Sequence, residues 1–487
     1  MKISIENLFV ELPIKYKEAL KVIQFNGLGI IFFIDKNKKL IGSFSDGDSR
    51  RVILKETPLP EIIKKDSDFY NKNPHYLLFD CKISEIWSLF SQNIKCIPLV
   101  DNEMKVVDFS TPSKVRKFPI LEPDIGDNEI NNLLECVNTG WISSQGKFIK
   151  EFEIGFSKYL SGGHAVAVSN GTAAIQLGML ALGIGVNDEV IVPNFTFGAS
   201  INAIIHVGAT PVLVDVNPET WTLSLEAIEK AINKKTKAIM PVHIYGQAAH
   251  IDEINKIAKN NNLYVIEDCA EALGGTYKER LIGRDGDASS FSFFANKLIT
   301  TGEGGMVVFK NKKIAEKAKV IRDHGMSPQK RYWHEFAGVN FRMTNMQASI
   351  GVAQLKRINH FLLERKRVFH RYDENFISNS RLLLLPNNKW SENSYWLYTL
   401  VIKDFTEIKR GQLLKALSDR GIDARPGFYP LHKMPPYQKY SDGSEYPISS
   451  FLGSSSINLP SSPGLSFDEI DHISQTFITE LKEFCES

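Results

Sequence analysis

The chain has 487 residues, of which 43% are hydrophobic and 23% are charged, and its formal net charge at pH 7 is +2. This balance gives no reason to expect nucleic acid or an anionic membrane surface as a partner. The densest apolar run, residues 28–34, is too short to cross a bilayer, and the five cysteines show no metal-ligand spacing. We therefore expect a cytoplasmic protein of roughly two or three domains, without a metal site.

The first predicted region covers residues 1–115. Short strands rich in Ile, Val and Phe alternate there with short helical stretches, and a proline-bearing segment at residues 111–119 is typical of a linker. Residues 41–51 resemble the signature of CBS domains, modules that occur in pairs and often bind adenine nucleotides. In that pattern Ser45 would contact a phosphate or ribose, and Asp48 would bind the ribose hydroxyls.

A second copy of this signature is predicted at residues 96–110. It is degenerate, because Val107 replaces the glycine of the pattern and Ser113 stands where the aspartate belongs. We therefore expect a CBS-like domain pair over residues 1–115, with one possible nucleotide site and one vestigial half. A structural or dimerising pair that binds no ligand is an equally good interpretation.

A regular alternation of strands and helices begins near residue 165. It favours a mostly parallel sheet with helices on both faces, in which ligands gather at the carboxyl ends of the strands. The predicted strands are residues 165–169, 189–193, 211–216, 238–244, 263–268, 288–294 and 306–309. The predicted helices include residues 173–181, 225–232 and 251–260.

The pattern changes near residue 360 to a long charged helix at residues 360–372, followed by a smaller α+β portion. Two domains are therefore predicted after the N-terminal region. They are a large domain with its entry segment at residues 116–360 and a small C-terminal domain at residues 361–487.

Lys297 follows the predicted strand at residues 288–294 and precedes a glycine-dense turn. A lysine at the lip of a buried strand is costly unless it is solvated or its charge is removed. Enzymes that use pyridoxal phosphate (PLP) remove the charge by condensing the amine with the aldehyde of the cofactor. Alone, the lysine favours a surface role, but its neighbours in the predicted sheet favour the PLP interpretation.

Further strand ends carry the other groups that a PLP site requires. A small turn opens a helix at Gly171 and Thr172, whose backbone amides would bind a phosphate together with the hydroxyl of Ser292. Asp268 ends its strand, where a carboxylate would keep a pyridine nitrogen protonated. Phe197 follows another strand and would stack on a flat ring. Capping or core packing explains each feature alone, but their convergence predicts a PLP site.

Residues 118–487 resemble the DegT/StrS family of nucleotide-sugar aminotransferases. The resemblance rests on the Lys297 run and on the motifs at residues 140–146, 169–174, 240–247, 266–271 and 340–348. It implies the type I PLP-aminotransferase fold, an α/β architecture with a mostly parallel seven-stranded sheet between helices and a smaller C-terminal α+β domain. With the N-terminal CBS-like α/β domain, this is the expected fold. The family also implies a homodimer with shared active sites.

The resemblance assigns roles to matching positions. Lys297 would hold PLP covalently and move the proton between the amino acid and the cofactor. Glu271 would lie near the phenolic oxygen of PLP, and Asn340 would reach the phosphate from the partner subunit. Arg342 would bind the substrate carboxylate or the sugar, or would equally well be a structural interface residue. Two further substrate candidates are Tyr332 and His432.

Transamination is the expected reaction, because the chain keeps the Schiff-base lysine that some dehydratase relatives replace with histidine. L-glutamate would donate the amino group. The runs at residues 296–305, 331–333 and 425–437 resemble those of members that aminate GDP-4-keto-6-deoxy-D-mannose at C4, which gives GDP-perosamine for surface polysaccharide such as O-antigen.

Two alternatives accompany this prediction. A UDP- or dTDP-linked 4-keto sugar would be the acceptor in an enzyme of the same class. A protein of another class would sense nucleotides through its N-terminal region and carry an inactive aminotransferase body. The intact Lys297 and Asp268 argue against the second alternative.

Overall fold

Two structural units divide the chain. The first comprises Met1–Phe118 with Lys415–Asp423, and the second comprises Pro119–Leu414 with Ala424–Ser487. They are seen in a computed structural model that describes residues 5–55, 59–91, 94–112, 115 and 118–485. None of the helices within these ranges is long and apolar enough to span a bilayer.

The N-terminal unit repeats one motif. In its first half, β1 and β3 pair in parallel and β4 pairs antiparallel with β3. In its second half, β6 and β7 pair in parallel and β8 pairs antiparallel with β7. The elements are β1 (Phe9–Glu11), β2 (Ile14–Lys15), α1 (Tyr16–Asn26), β3 (Ile30–Ile34), β4 (Leu40–Ser45), α2 (Asp46–Leu54), β5 (Ile62–Ile63), β6 (Leu77–Leu78), α3 (Ile83–Leu89), β7 (Ile97–Val100) and β8 (Val106–Ser110). A helix therefore separates the parallel strands in each half. Ser113, the expected counterpart of Asp48, lies outside the described residues.

The second unit is built around a seven-stranded sheet, as the sequence predicts. Its strand order is β11-β10-β12-β13-β16-β17-β9, and β17 is antiparallel to both of its neighbours. The strands are β9 (His164–Val168), β10 (Glu189–Pro193), β11 (Thr210–Val214), β12 (Thr236–Ile239), β13 (Tyr264–Asp268), β16 (Ala288–Ser292) and β17 (Gly305–Phe309). Six predicted strands agree with these to within two residues at each end, the strand predicted at residues 238–244 ends already at Ile239, and the mostly parallel α/β fold is confirmed.

Helices cover both faces of this sheet because the alternate side chains of each strand point in opposite directions. In β9, Ala165 and Ala167 belong to one buried apolar cluster, and Val166 and Val168 belong to another. The helices of this part of the chain are α4 (Asp127–Thr139), α5 (Lys147–Tyr159), α6 (Gly171–Leu182), α7 (Gly198–His206), α8 (Leu225–Ala231), α9 (Ile251–Asn260), α10 (Lys312–Arg322) and α11 (Asn345–Lys356). The core of this unit therefore lies in two layers, one on each side of the sheet.

The C-terminal part begins with the long helix α12 (Ile358–Phe376), which confirms the helix predicted at residues 360–372. A four-stranded antiparallel sheet with the order β18-β20-β22-β21 follows. The remaining elements are β14 (Thr276–Tyr277), β15 (Arg280–Leu281), β18 (Leu382–Leu384), β19 (Ser391–Glu392), β20 (Tyr398–Ile402), α13 (Glu407–Asp419), β21 (Arg425–Pro426), α14 (Pro447–Ser455), β22 (Ser456–Leu459) and α15 (Phe467–Cys485). Since β19 pairs with β14, the boundary between the expected large and small domains stays a prediction.

Candidate active site

The sheet brings the predicted site residues to one edge. Strands β9, β10, β13 and β16 run in the same direction, so their carboxyl ends meet at that edge. Gly171 follows β9, Phe197 follows β10, Asp268 ends β13, and Lys297 follows β16. The arrangement agrees with the general placement of ligands at the carboxyl ends of parallel strands.

The first turn of α6 has the properties of a phosphate site. The N-cap side chain of Asn170 accepts a hydrogen bond from the Ala173 amide at 2.8 Å. Among the described residues, no acceptor lies at hydrogen-bond distance from the amides of Gly171 and Thr172. A Cβ at Gly171 would lie 2.8 Å from the Cβ of Ser292, so only glycine lets the two segments approach this closely. Two free amides at a helix N-terminus fit the phosphate of PLP.

Asp268 is 4% exposed and has no cationic partner within the described residues. Its Oδ2 accepts a hydrogen bond from Ser200 Oγ at 2.7 Å, and its Oδ1 accepts one from the Ala270 amide at 3.1 Å. Burial raises the pKa of Asp268, and the Ser200 hydrogen bond opposes that rise. Because a buried carboxylate is costly without a counter-charge, the site fits a group that brings one, such as a protonated pyridine nitrogen.

Lys297 lies at this edge, and part of its side chain remains accessible. Its Nζ is 3.6 Å from the centroid of the Trp396 ring, and no described carboxylate forms an ion pair with it. Burial lowers the pKa of the Lys297 amine, while the charges of Glu271 and Asp268 oppose this change. A lowered pKa leaves more of the amine neutral, the form that attacks an aldehyde.

Glu271 is the acidic group whose charge acts most strongly on Lys297. It is buried, and its Oε2 accepts a hydrogen bond from the Tyr245 amide at 2.8 Å. Burial raises the pKa of Glu271. The carboxyl group therefore exchanges a proton more readily near neutral pH than an exposed glutamate does.

A cavity of about 470 Å³ opens beside the phosphate turn. Thr172 and Phe197 line it on one side and Phe428 on the other, with the two aromatic rings 5.7 Å apart between centroids. The Phe197 side chain is 60% exposed, which is unusual for a phenylalanine at the end of a core strand. An exposed ring beside a phosphate turn fits a planar cofactor that would cover it.

Asn340, which is predicted to reach the phosphate from the partner subunit, is exposed and does not line this cavity, and its role stays a prediction. The three predicted substrate residues do not line the cavity either, as far as the described residues show. Tyr332 is exposed with a left-handed backbone, φ 63°. Arg342 forms an ion pair with Asp323. His432 is held by Asn194, whose Oδ1 accepts the His432 amide at 2.9 Å and whose Nδ2 lies 2.7 Å from His432 Nδ1. Their substrate roles stay predictions.

In the N-terminal unit, Ser45 and Asp48 bond to each other at the start of α2. Ser45 Oγ accepts a hydrogen bond from the Asp48 amide at 3.2 Å, and Asp48 Oδ2 accepts one from the Ser45 amide at 2.8 Å. The second carboxylate oxygen of Asp48 pairs with Arg51. The two residues thus form a capping box, and a ligand at Asp48 would have to compete with these bonds.

One buried cluster outside the predicted site has the residue types of a metal centre. It comprises His243, Glu267 and Cys269, whose ligand atoms lie within 4.8 Å of one another. His243 Nε2 lies 3.0 Å from Glu267 Oε2, and His243 Nδ1 accepts the Ala249 amide at 3.0 Å. Glu267 also accepts the Gly286 amide at 2.5 Å. These hydrogen bonds occupy both ring nitrogens of His243 and both carboxylate oxygens of Glu267, so the two side chains hold the end of β13 in place.

Three residues at the site are not among those predicted from the sequence. Ser200 contacts Asp268 and Trp396 contacts Lys297, and neither Ser200 nor Trp396 belongs to a chemical motif. Arg365 donates to the Lys297 carbonyl. A signal for Arg365 does exist, because it falls in the buried stripe of α12 where an apolar side chain is expected.

Comparison with known proteins places the second unit among aminotransferases. A profile of the DegT/DnrJ/EryC1/StrS aminotransferase family matches residues 123–478. GDP-perosamine synthases from Caulobacter vibrioides and Vibrio cholerae are both 42% identical, over 74% and 73% of this chain and 97% of each relative. A putative sugar aminotransferase from Streptococcus pneumoniae in its PLP form is 31% identical with a TM-score of 0.71, covering 76% of this chain and 99% of that one. A Helicobacter pylori aminotransferase of pseudoaminic acid biosynthesis is 27% identical with a TM-score of 0.72, covering 76% of this chain and 100% of that one.

Proposed function

The chain belongs to the DegT/DnrJ/EryC1/StrS family and is a PLP-dependent sugar aminotransferase, and we propose that its reaction is the amination of GDP-4-keto-6-deoxy-D-mannose at C4 by L-glutamate. The product is GDP-perosamine, a precursor of surface polysaccharide such as O-antigen. The choice of acceptor rests on the similarity to GDP-perosamine synthases over nearly their whole length.

One observation carries the chemistry. At the carboxyl edge of the sheet lies the amine of Lys297, which forms no ion pair within the part of the chain that the structure describes and is close enough to the buried Asp268 for its charge to act on that carboxyl group. The same edge carries the free amides of Gly171 and Thr172. The amine matches the aldehyde of one small cofactor, the Asp268 carboxylate matches its pyridine nitrogen, and the two amides match its phosphate.

The bound cofactor supplies an electron sink that stabilises negative charge on the substrate carbon. Lys297 holds the cofactor and moves the proton at its Nζ, for which the pKa lowered by burial is suited. Asp268 would keep a positive charge at the pyridine nitrogen, and Phe197 would stack on the ring. Glu271, whose charge acts on Lys297, would lie near the phenolic oxygen.

The active form is a homodimer with shared sites in this proposal. Several large apolar side chains of α4 and the following turn are exposed in the single chain: Ile130, Leu134, Val137, Trp141 and Ile142. Contiguous exposed apolar groups of this kind favour a protein interface. Asn340, also exposed, would reach the phosphate of the partner's cofactor. The cytoplasm, where nucleotide sugars are made, is the proposed location.

The acceptor is tested by offering GDP-, UDP- and dTDP-linked 4-keto-6-deoxyhexoses to the purified protein with L-glutamate. The GDP sugar should react at least about tenfold faster, which corresponds to about 1.4 kcal/mol of discrimination. A faster reaction with a UDP or dTDP sugar would replace the proposed acceptor and leave the aminotransferase assignment intact. Other amino acids in place of glutamate test the donor in the same assay.

We further propose that the N-terminal unit is a CBS-like pair, because its two halves repeat the same order of strands and pairing directions. A nucleotide at Ser45 and Asp48 would tune the enzyme. Isothermal calorimetry with ATP, AMP and guanine nucleotides tests this proposal. Binding that is lost in Asp48→Asn supports it, and the absence of binding leaves a structural pair.

A further inference from the structure

Arg365 is a buried arginine without a counter-charge. It lies on α12, is 1% exposed, and forms no ion pair with any carboxylate of the described residues. Its hydrogen-bond acceptors are two backbone carbonyls, those of Trp396 and Lys297. Burial lowers the pKa of Arg365 to about 9. Moving a guanidinium out of water without an opposite charge is unfavourable, so this position calls for a specific reason.

Arg365 forms hydrogen bonds to the turn that carries Lys297 and to the residue whose side chain binds the same turn. Arg365 Nη2 donates to the Lys297 carbonyl at 3.2 Å, and Nη1 donates to the Trp396 carbonyl. Trp396 Nε1 donates to the Asn296 carbonyl at 2.8 Å. Two successive carbonyls of the turn are thus held by side chains from the C-terminal part of the chain. We call this pair of side chains the Arg365–Trp396 bracket.

One member of the bracket, Trp396, also contacts the amine itself. The ring face of Trp396 lies 3.6 Å from Lys297 Nζ and attracts the ammonium form. The ring is stacked in turn on Tyr245, with centroids 6.1 Å apart and planes 15° from parallel. Tyr245 is fully buried, so Trp396 is supported on the side away from the turn.

We propose that the Arg365–Trp396 bracket is the positioning device of Lys297: it fixes the main chain of the lysine turn, and its guanidinium adds a positive charge to the surroundings of the amine. The inference rests on the proposed role of Lys297. Arg365 touches the carbonyl of Lys297 and not the reacting atoms, so it acts through Lys297 and is a positioning residue.

A consequence follows for the titration of Lys297. Burial lowers the pKa of the amine most strongly, the charge of Arg365 adds to that lowering, and the charges of Glu271 and Asp268 oppose it. Without the guanidinium, burial alone would oppose the effect of the two carboxylates on the amine. The pKa of Lys297 should then rise, and less of the amine would be neutral at neutral pH.

The test follows the reactivity of Lys297 in the cofactor-free protein. An amine-acylating reagent is applied over a range of pH, and peptide mass spectrometry measures the labelling of Lys297 alone. In Arg365→Met the midpoint of labelling should move up by about one pH unit, and labelling at neutral pH should slow about tenfold. Arg365→Lys retains a cation and should restore most of the wild-type midpoint.

Arg410 offers a matched control. It is also fully buried, and its Nη1 donates to two backbone carbonyls, those of Gly453 and Ser456. Arg410→Met should lower the melting temperature as Arg365→Met does, yet leave the labelling midpoint of Lys297 unchanged. Should Arg365→Met fail to fold, Arg365→Gln carries the test, because it loses the charge and keeps a donor for one carbonyl.

Two results would overturn the inference. One is a folded Arg365→Met or Arg365→Gln protein with the wild-type midpoint, and the other is an equal shift in Arg410→Met. Failure of the proposed function gives a different result, since borohydride would then fail to fix PLP to Lys297 in the wild-type protein. Normal fixation with an unchanged midpoint in the variants therefore contradicts the bracket alone.

Discussion

Two helices of this chain begin in similar ways and differ in what their first turns leave free. Helix α2 follows a strand, begins at Ser45 and carries two carboxylates in its first turn. Helix α6 also follows a strand, begins at Asn170 and carries no acidic residue there. In α2 the Asp48 carboxylate accepts the Ser45 amide, and the Ser45 hydroxyl accepts the Asp48 amide, which together form the capping box. In α6 the amides of Gly171 and Thr172 find no acceptor among the described residues.

The difference shows how a structural helix start is told from a binding site. A helix N-terminus attracts negative charge, and the chain supplies that charge itself in α2. The first amides of α6 are left without such a charge, next to a cavity and to the buried carboxylate of Asp268, which forms no ion pair among the described residues. Polar groups that the chain does not satisfy are therefore a better guide to function than the presence of polar residues alone.

The largest expected effect comes from replacing Lys297, the lysine of the predicted PLP site. Lys297→Ala should lower transamination at least about 10³-fold, because the amine that holds the cofactor and moves the proton is lost. Borohydride should no longer fix PLP to the protein. Lys230→Ala removes an exposed lysine of α8 and should behave as wild type in both assays. Normal turnover in Lys297→Ala would contradict the site.

The two helix starts can be compared directly by adding one methyl group to each. In Gly171→Ala the new Cβ meets Ser292 at 2.8 Å, whereas in Gly47→Ala the nearest atom is 3.5 Å away. Gly171→Ala should weaken PLP binding by about 10- to 100-fold, since it displaces an amide that binds a charged group. Gly47→Ala should be neutral or stabilise α2 by about 0.5–1 kcal/mol. Fluorescence titration with PLP and thermal unfolding measure the two effects.

Ser200→Ala tests Asp268, the buried carboxylate of the predicted PLP site. The Ser200 hydroxyl donates to Asp268 and lowers its pKa, against the rise caused by burial. Without this bond the pKa of Asp268 should rise, so the carboxylate is protonated at a higher pH. Activity that needs ionised Asp268 is lost as pH falls, and the acidic limb of the pH–rate profile should therefore move to higher pH. An unmoved limb would show that Ser200 does not tune Asp268.

The smallest expected effect is at the start of α2, where Ser45 and Asp48 form the capping box. Ser45→Ala removes the cap of α2 and should destabilise the N-terminal unit by about 1 kcal/mol. Hydrogen exchange at the first amides of α2 would measure it, with the amides of α6 as internal reference. A loss of nucleotide binding without faster exchange would instead favour a ligand role for Ser45.

Local patterns determined much of this protein. Alternating apolar runs predicted the seven strands, which the fold confirms. The turn glycines and the lysine after a strand predicted PLP as the cofactor, and the motifs predicted the aminotransferase family, which the relatives confirm. These features are readable because hydrophobic period and turn chemistry act over a few neighbouring residues. The roles of single residues such as Asn340 and His432 stay predictions, because they depend on a partner chain or a substrate.

Only the tertiary structure decided which polar groups meet. The pairing of Ser200 with Asp268 spans 68 residues, and that of Arg365 with the Lys297 carbonyl also spans 68. The bond from Trp396 to the Asn296 carbonyl spans 100 residues. No local rule brings such residues together, because packing of the sheet and helices sets their distances, and the same packing removes the water that would otherwise satisfy them.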